Sequence, residues 1–154
     1  MFESTLATTH DADLILKLYQ LRTEGVMRQA REWAVAEFFP DTAEEVVTVL
    51  GSLGSQENCW LRQVTSYWEM ATAFVLHGAL NAELFLDCNN EPFFLYAKFR
   101  PMLAEIRTKN SGFMVKVEQF IEQHPEAQQK VARLTEGMPA RRSAALAARN
   151  RPHR

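Results

Sequence analysis

The sequence predicts an all-α fold: a single helical-bundle domain of about six helices, of which the first is long. Ala and Leu account for 35 of the 154 residues, against 13 for Val and Ile; the first pair favours helices, whereas β-branched residues favour strands. Six Gly and six Pro interrupt the chain, so we expect long elements. Apolar residues make up 47% of the sequence, which excludes a disordered chain and suffices for one core.

The first helix is predicted to begin at Asp11 or Asp13 and to run to Phe39. Apolar residues recur at helical spacing through this stretch, which is typical of an amphipathic helix. Gly25 is a weak point inside it. Pro40 disfavours the α conformation of the preceding residue and therefore ends the helix.

Thr42-Ala43-Glu44-Glu45 fits a capping box and predicts a short second helix to about Leu50. Residues 51–55 contain two glycines and form the following turn. A phosphate-binding loop is excluded there, because no Gly-Lys-Ser/Thr follows and no strand precedes.

The third helix, Gln56 to His77, is the strongest candidate for the centre of the core. Gly78 is placed to end it. Asn81 is predicted to cap a fourth, short helix. Asn90 is predicted to cap the fifth, with Pro92 just inside its start.

The second half of the chain is divided by prolines. Pro101 predicts a kink in the fifth helix, or two helices end to end. After a turn at residues 110–112, a sixth helix is expected from Phe113 to Gln123. Pro125 opens a last short helix to about Glu136.

The formal net charge of −2 is the sum of two unequal parts. Residues 1–138 carry 12 basic and 19 acidic side chains (−7), whereas residues 139–154 carry five basic ones and no acid. With the Gly137-Met138-Pro139 boundary, this predicts a helical domain over 1–138 and a disordered basic tail over 139–154. The predicted electrostatic tail contains Arg141, Arg142, Arg149, Arg151 and Arg154.

The sequence predicts a cytoplasmic protein. Cys59 and Cys88 form neither a disulfide scaffold nor a CxxC motif, so we expect both to be reduced. The N-terminus lacks the pattern of a signal peptide. The longest uncharged stretch of the apolar middle has 13 residues, too few to span a membrane.

Several short motifs between Leu61 and Glu122 occur in a fixed order. The motifs are Tyr67-Trp68-Glu69 with Ala71, Leu76-His77-Gly78-Ala79-Leu80, Glu83-Leu84-Phe85, Tyr96-Ala97-Lys98-Phe99-Arg100-Pro101 with Arg107, and Glu118-Gln119-Phe120-Ile121. In this order they resemble a bacterial family whose domain has no known function. The resemblance implies an all-helical fold with Glu118 facing inward, and it implies no activity.

Glu69 is the most informative ionisable residue, because an unpaired carboxylate beside the tryptophan of the third helix would be costly to bury. Arg107 or Arg100 is expected to neutralise it in an ion pair that joins two helices. The alternative is a ligand pocket bordered by Glu69, Tyr96, Arg100 and Arg107.

No catalytic residue, metal site or cofactor is predicted. Neither His77 nor His124 has a Glu three residues before it, as a di-iron bundle requires, and His-Glu-x-x-His is absent. The chain lacks a Gly-x-Ser-x-Gly elbow.

Three functions remain open. The first is a non-enzymatic cytoplasmic interaction or regulatory domain, a homodimer whose partner is another copy or a second protein. The second is a small-ligand binder or enzyme with the pocket near Glu69 and Arg107. The third is weak nucleic-acid binding through the arginine-rich tail. The aromatic cluster Phe93-Phe94-Tyr96-Phe99 belongs either to the core or to a subunit interface.

Overall fold

The computed structural model describes residues 6–151, and all regular structure in this range is helical. The all-α prediction is therefore confirmed. The α-helices are α1 (Thr9–Thr23), α2 (Gly25–Glu32), α3 (Ala43–Gly51), α4 (Gln56–Leu76), α5 (Ala82–Cys88), α6 (Glu91–Phe99), α7 (Leu103–Arg107), α8 (Val115–Gln123) and α9 (Pro125–Arg149). A π-helical turn, Trp33–Glu37, follows α2, and a 3₁₀ turn, Arg100–Met102, joins α6 to α7.

The prediction of one long first helix is wrong, because the chain breaks at Glu24. This residue is extended (φ −61°, ψ 147°), and it lies directly before the weak point predicted at Gly25. The Arg28 guanidinium donates to the carbonyl of Thr23 at 2.7 Å, which satisfies one of the carbonyls left free at the end of α1. The break lets α1 pack against α5 while α2 packs against α4.

Four other local signals form as the sequence predicts, whereas Asn90 precedes α6 without a capping hydrogen bond from its side chain. Thr42 and Glu45 form the capping box, with bonds of 3.3 and 3.0 Å. The Asn81 side chain caps α5 through the Leu84 amide at 2.8 Å. Gly78 follows α4 with φ +76°. Pro101 divides the fifth predicted helix into α6 and α7, so two helices lie end to end.

The predicted end near Glu136 is wrong, because α9 continues through Pro139 to Arg149. The residues predicted to form a disordered tail are thus helical as far as Arg149, and Arg154 lies outside the described residues. Proline removes the amide that would bond to the Thr135 carbonyl. Both positions are exposed, so water can satisfy that carbonyl.

Helices α4 and α6 lie at the centre of the hydrophobic core. Trp68 of α4 is fully buried and makes edge contact with Phe85, whose ring in turn contacts Phe93 and Phe120. On α6 every residue from 92 to 99 is buried. The aromatic cluster on α6 therefore belongs to the core of the single chain rather than to a subunit interface.

Candidate functional site

Glu69 caps the N-terminus of α8. Its two carboxylate oxygens accept hydrogen bonds from the backbone amides of Lys116 and Val117, each at 3.0 Å. The first amides of a helix lack partners within it and lie at the positive end of its dipole, so a carboxylate is stabilised there. The predicted ion pair between Glu69 and an arginine is therefore wrong, because backbone amides supply the donors.

Arg107 instead pairs with Glu118 of α8, which the sequence identified only as an inward-facing acid. Its Nη1 donates to Oε1 of Glu118 at 2.8 Å, and its Nε donates to the carbonyl of Phe113 at 3.0 Å. The Tyr96 hydroxyl donates to Oε2 of Glu118 at 2.9 Å. Burial, together with this hydrogen bond to Glu118, raises the pKa of Tyr96 to about 12. The three side chains tie α6, α7 and α8 together.

The four residues predicted to bind a ligand do not form one site. Tyr96 and Arg107 meet at Glu118, whereas Glu69 lies at the start of α8. Arg100 is exposed in the 3₁₀ turn. The sequence motif placed these residues on neighbouring helices but could not tell which acid each cation would contact.

A cleft of about 840 Å³ lies beside Glu69, between α4 and the segment 109–114. Its walls carry Arg62 and Ser66 of α4 and Lys109 of the loop. Tyr96 and Arg107 are not among its lining residues. Of the predicted ligand-binding residues, the cleft thus includes Glu69 alone.

Lys98 is a buried cation that sequence reasoning missed. Only 6% of its surface is exposed, and its ammonium donates to the carbonyls of Ala34 at 2.5 Å and Phe38 at 2.9 Å. The rings of Phe39 and Phe94 lie 4.0 and 5.1 Å from Nζ. Burial lowers its pKa to about 7, against a weaker opposite effect of Glu91. Lys98 therefore caps the π-helical turn, because its ammonium donates to carbonyls that lack partners within the helix.

Glu91, at the start of α6, binds two other helices. The Arg31 guanidinium of α2 donates to both of its oxygens, at 2.7 to 3.0 Å. The indole Nε1 of Trp68 donates to Oε1 at 3.0 Å. The hydrogen bonds that Arg31 donates to Glu91 raise the pKa of Arg31. The contact between Arg31 and Glu91 is a bidentate ion pair, which fixes the relative orientation of the two side chains in addition to bringing opposite charges together.

The arginines of the predicted tail contact the body of the same chain. Arg142 forms an ion pair with Asp41, and the Arg141 guanidinium lies 5.1 Å from the ring centre of Phe94. Further along, Arg149 and Arg151 are exposed. The basic end of the chain and its acidic body thus meet within one molecule.

An apolar groove, here called the α1–α4 groove, lies where α1 and α2 meet α4. Leu21, Val26 and Met70 line it with 47, 63 and 42% of their surface exposed. Buried Met27 and Tyr67 complete its apolar lining, and its volume is about 510 Å³. Leu21 and Val26 lie on either side of the break at Glu24, so the ends of both helices contribute to this groove.

Within residues 6–151, no group of three or more His, Cys, Asp and Glu side chains is arranged to hold a metal ion. None of the helices in that range is both long and apolar enough to cross a membrane. Cys59 and Cys88 are unpaired and exposed.

Residues 7–124 match the model of a family described as "Domain of unknown function (DUF4760)". The match spans more than half of the chain, and the chain therefore belongs to this family. The predicted resemblance to a helical family of unknown function is confirmed over a longer stretch than its motifs covered. Comparisons with curated proteins and with solved structures give no match.

Proposed function

We propose that this DUF4760 protein is a non-catalytic interaction domain that forms a homodimer through the α1–α4 groove. Isolated apolar side chains are common on protein surfaces. Here three of them, Leu21, Val26 and Met70, converge on one concave surface. This convergence carries the proposal, because contiguous exposed apolar surface is typical of interaction sites.

A second copy is the proposed occupant because the surface that forms the groove also carries a strongly exposed apolar side chain that could fill the same groove of a partner. Val26, the most exposed of the three lining side chains, stands at the edge of the bend. In a two-fold dimer the same patch meets itself, so Val26 of each copy would enter the groove of the other. The rim is suited to such a contact, since it carries the polar side chains Gln63, Ser66 and Glu24.

The half-buried acids support a non-catalytic role. Glu69, Glu91 and Glu118 each accept at least two hydrogen bonds from groups of the same chain. Each of these acids joins helices, which is a structural task.

A bacterial cytoplasmic location forms part of the proposal. Two unpaired, exposed cysteines suit a reducing compartment. Fractionation of cells that produce the chain with a small epitope tag tests this part, and recovery in the membrane or exported fraction would contradict it.

Light scattering coupled to size-exclusion chromatography tests the dimer. We expect the native chain to have twice the monomer mass, and the Val26→Asp variant to have the monomer mass with an unchanged helical circular-dichroism spectrum. Leu53→Asp is the matched control, because Leu53 is 78% exposed in the turn before α4, away from the groove. A native monomer, or equal dissociation by both variants, would overturn the proposal.

A small-ligand binder is the second candidate, favoured by the cleft of about 840 Å³ beside Glu69. It ranks lower because both Glu69 oxygens already bind the start of α8. A fragment screen by NMR tests it. Shifts confined to amides of residues 109–114 and of the facing part of α4 would support a ligand site.

Weak nucleic-acid binding is the third candidate, favoured by the exposed Arg149 and Arg151 at the end of α9. It ranks lowest because Arg142 is already paired with Asp41. Such binding should weaken steeply with added salt and disappear on truncation after Met138. Affinity that survives the truncation would exclude this mechanism.

A further inference from the structure

The groove between α6 and α9 is lined by more basic than acidic side chains. Lys130, Arg133 and Arg141 line a groove of about 560 Å³ there, here called the α6–α9 groove. They recur at spacings of three and eight residues along α9, which place them on one helical face. This groove shares no lining residue with the α1–α4 groove, so the inference is independent of the proposed dimer.

The one acid in the groove lining, Glu91, is already neutralised. Arg31 binds both of its oxygens, and Trp68 donates to one of them. Lys130 donates to the neutral carbonyls of Leu86 and Asn89, at 2.6 and 3.4 Å. The positive charge of the groove is therefore not cancelled by its own wall.

The cations also lie close enough to act on one another. Burial lowers the pKa of Lys130, the nearby carboxylate of Asp87 opposes this, and the charge of Arg133 adds a smaller lowering. Arg141 contacts the Phe94 ring at 5.1 Å rather than a carboxylate. A bound anion would relieve the repulsion between Lys130 and Arg133.

The groove is long and has an apolar centre. Arg133 and Arg141 are eight residues apart, which is about 12 Å along a helix. Between them lies Gly137, and half-buried Leu134 and Val35 provide the apolar surface. A single phosphate would contact one end only, whereas a molecule with two charged ends would reach both.

We propose that the α6–α9 groove binds a small organic anion with two charged groups, phosphate or carboxylate, joined by a planar or apolar segment. Arginine suits either group, because its planar guanidinium forms paired hydrogen bonds with both. Arg133 and Arg141 would hold the two ends, and Lys130 would add charge beside Arg133.

Isothermal titration calorimetry on the full chain tests the proposal with hexane-1,6-diol bisphosphate and suberate as probes and inorganic phosphate as the single-group comparison. We expect the bisphosphate, suberate or both to bind more tightly than inorganic phosphate. Arg133→Gln and Arg141→Gln should each weaken that binding about tenfold or more, because each removes a charge-assisted hydrogen bond. Arg149→Gln, on the same helix but outside the groove, should leave it unchanged.

Gly137→Leu gives a second test that removes no charge. A Cβ at position 137 meets only the flexible Nε of Arg141, at 3.9 Å, and leucine favours the helix. The added side chain would fill the middle of the groove and should abolish binding while the helical spectrum stays unchanged.

Binding of the bisphosphate alone would identify a phosphate ligand, and binding of suberate alone a carboxylate ligand; both support the site. Three results would overturn it: no heat from either probe, equal weakening by Arg149→Gln, or unchanged affinity in a folded Gly137→Leu variant.

Discussion

Replacing Lys98 by methionine should remove a specific part of the pH dependence of stability. In the folded chain burial lowers the pKa of Lys98 to about 7, against an ordinary value of 10.5. Between these two values the unfolded chain keeps a proton that the folded chain has released. The unfolded state therefore binds more protons, and the free energy of unfolding rises with pH through this window.

The magnitude follows from the width of the window. Each pH unit well inside it adds about 1.4 kcal/mol to the free energy of unfolding. Folded Lys98 is still half protonated near its pKa, so the increase from about pH 7 to about pH 9 should be about 2 kcal/mol. Below the folded pKa the ammonium is charged in both states, and its contribution becomes nearly constant.

Urea unfolding followed by circular dichroism at several pH values measures this increment. Groups that titrate equally in the native chain and in Lys98→Met cancel in the comparison, so the difference isolates Lys98. Methionine is similar in length and fits between Phe39 and Phe94. The exposed Lys109 gives the matched control, and Lys109→Met should follow the native pH curve. Parallel curves for the native chain and Lys98→Met would refute the reasoning.

Three further changes test other contacts by the same unfolding measurement. Glu69→Ala should lower the free energy of unfolding by about 2 to 3 kcal/mol, because two amides of α8 lose a charged acceptor. The control, Glu122→Ala at an exposed position, should lower it by less than about 0.5 kcal/mol. Equal losses for the two variants would contradict the capping role of Glu69. Tyr96→Phe should cost about 1 to 2 kcal/mol, since its hydroxyl bonds to a carboxylate, and a neutral substitution would contradict that contribution. Truncation after Met138 should leave unfolding cooperative at a cost of about 1 kcal/mol, because the contacts beyond it lie near the surface; loss of the fold would show that the end of α9 is part of the core.

Short-range chemistry made much of the fold predictable. The capping box at Thr42, the cap at Asn81 and the left-handed turn at Gly78 depend on residues within four positions, and each forms as the sequence indicates. Pro101 divides its helix for the same local reason. These signals fix where helices begin and end.

Tertiary contacts decided what the sequence could not. The acid that binds Arg107 is 11 positions away, whereas the amides that bind Glu69 are 47 and 48 positions away. No spacing rule selects between such partners. In the same way, a lysine is expected at the protein surface, but Lys98 is buried. Its ammonium donates hydrogen bonds to carbonyls at the end of the π-helical turn, and these partners are distant in the sequence.

Two predicted helix boundaries are wrong in opposite ways. The chain breaks at Glu24, where one continuous helix was predicted, and α9 continues through Pro139, where its end was predicted. At Glu24 the packing of α2 on α4 outweighed a helical pattern that ran on through Gly25. At Pro139 the packing of α9 on α6 and the pair of Arg142 with Asp41 outweighed a local stop signal. In both cases tertiary contacts overrode local propensity.

The methyl resonance of Met70 tests the proposed dimer most directly, because this side chain lines the α1–α4 groove and is 42% exposed. We predict that its NMR shift changes on dilution from about 1 mM to about 1 μM, a range that covers weak to moderate self-association. The half-buried Met102 methyl, in the 3₁₀ turn, should not shift, and Val26→Asp should abolish the change at Met70. The account would be contradicted if the Met70 resonance of the native chain stayed, over this whole concentration range, at the position that it has in Val26→Asp.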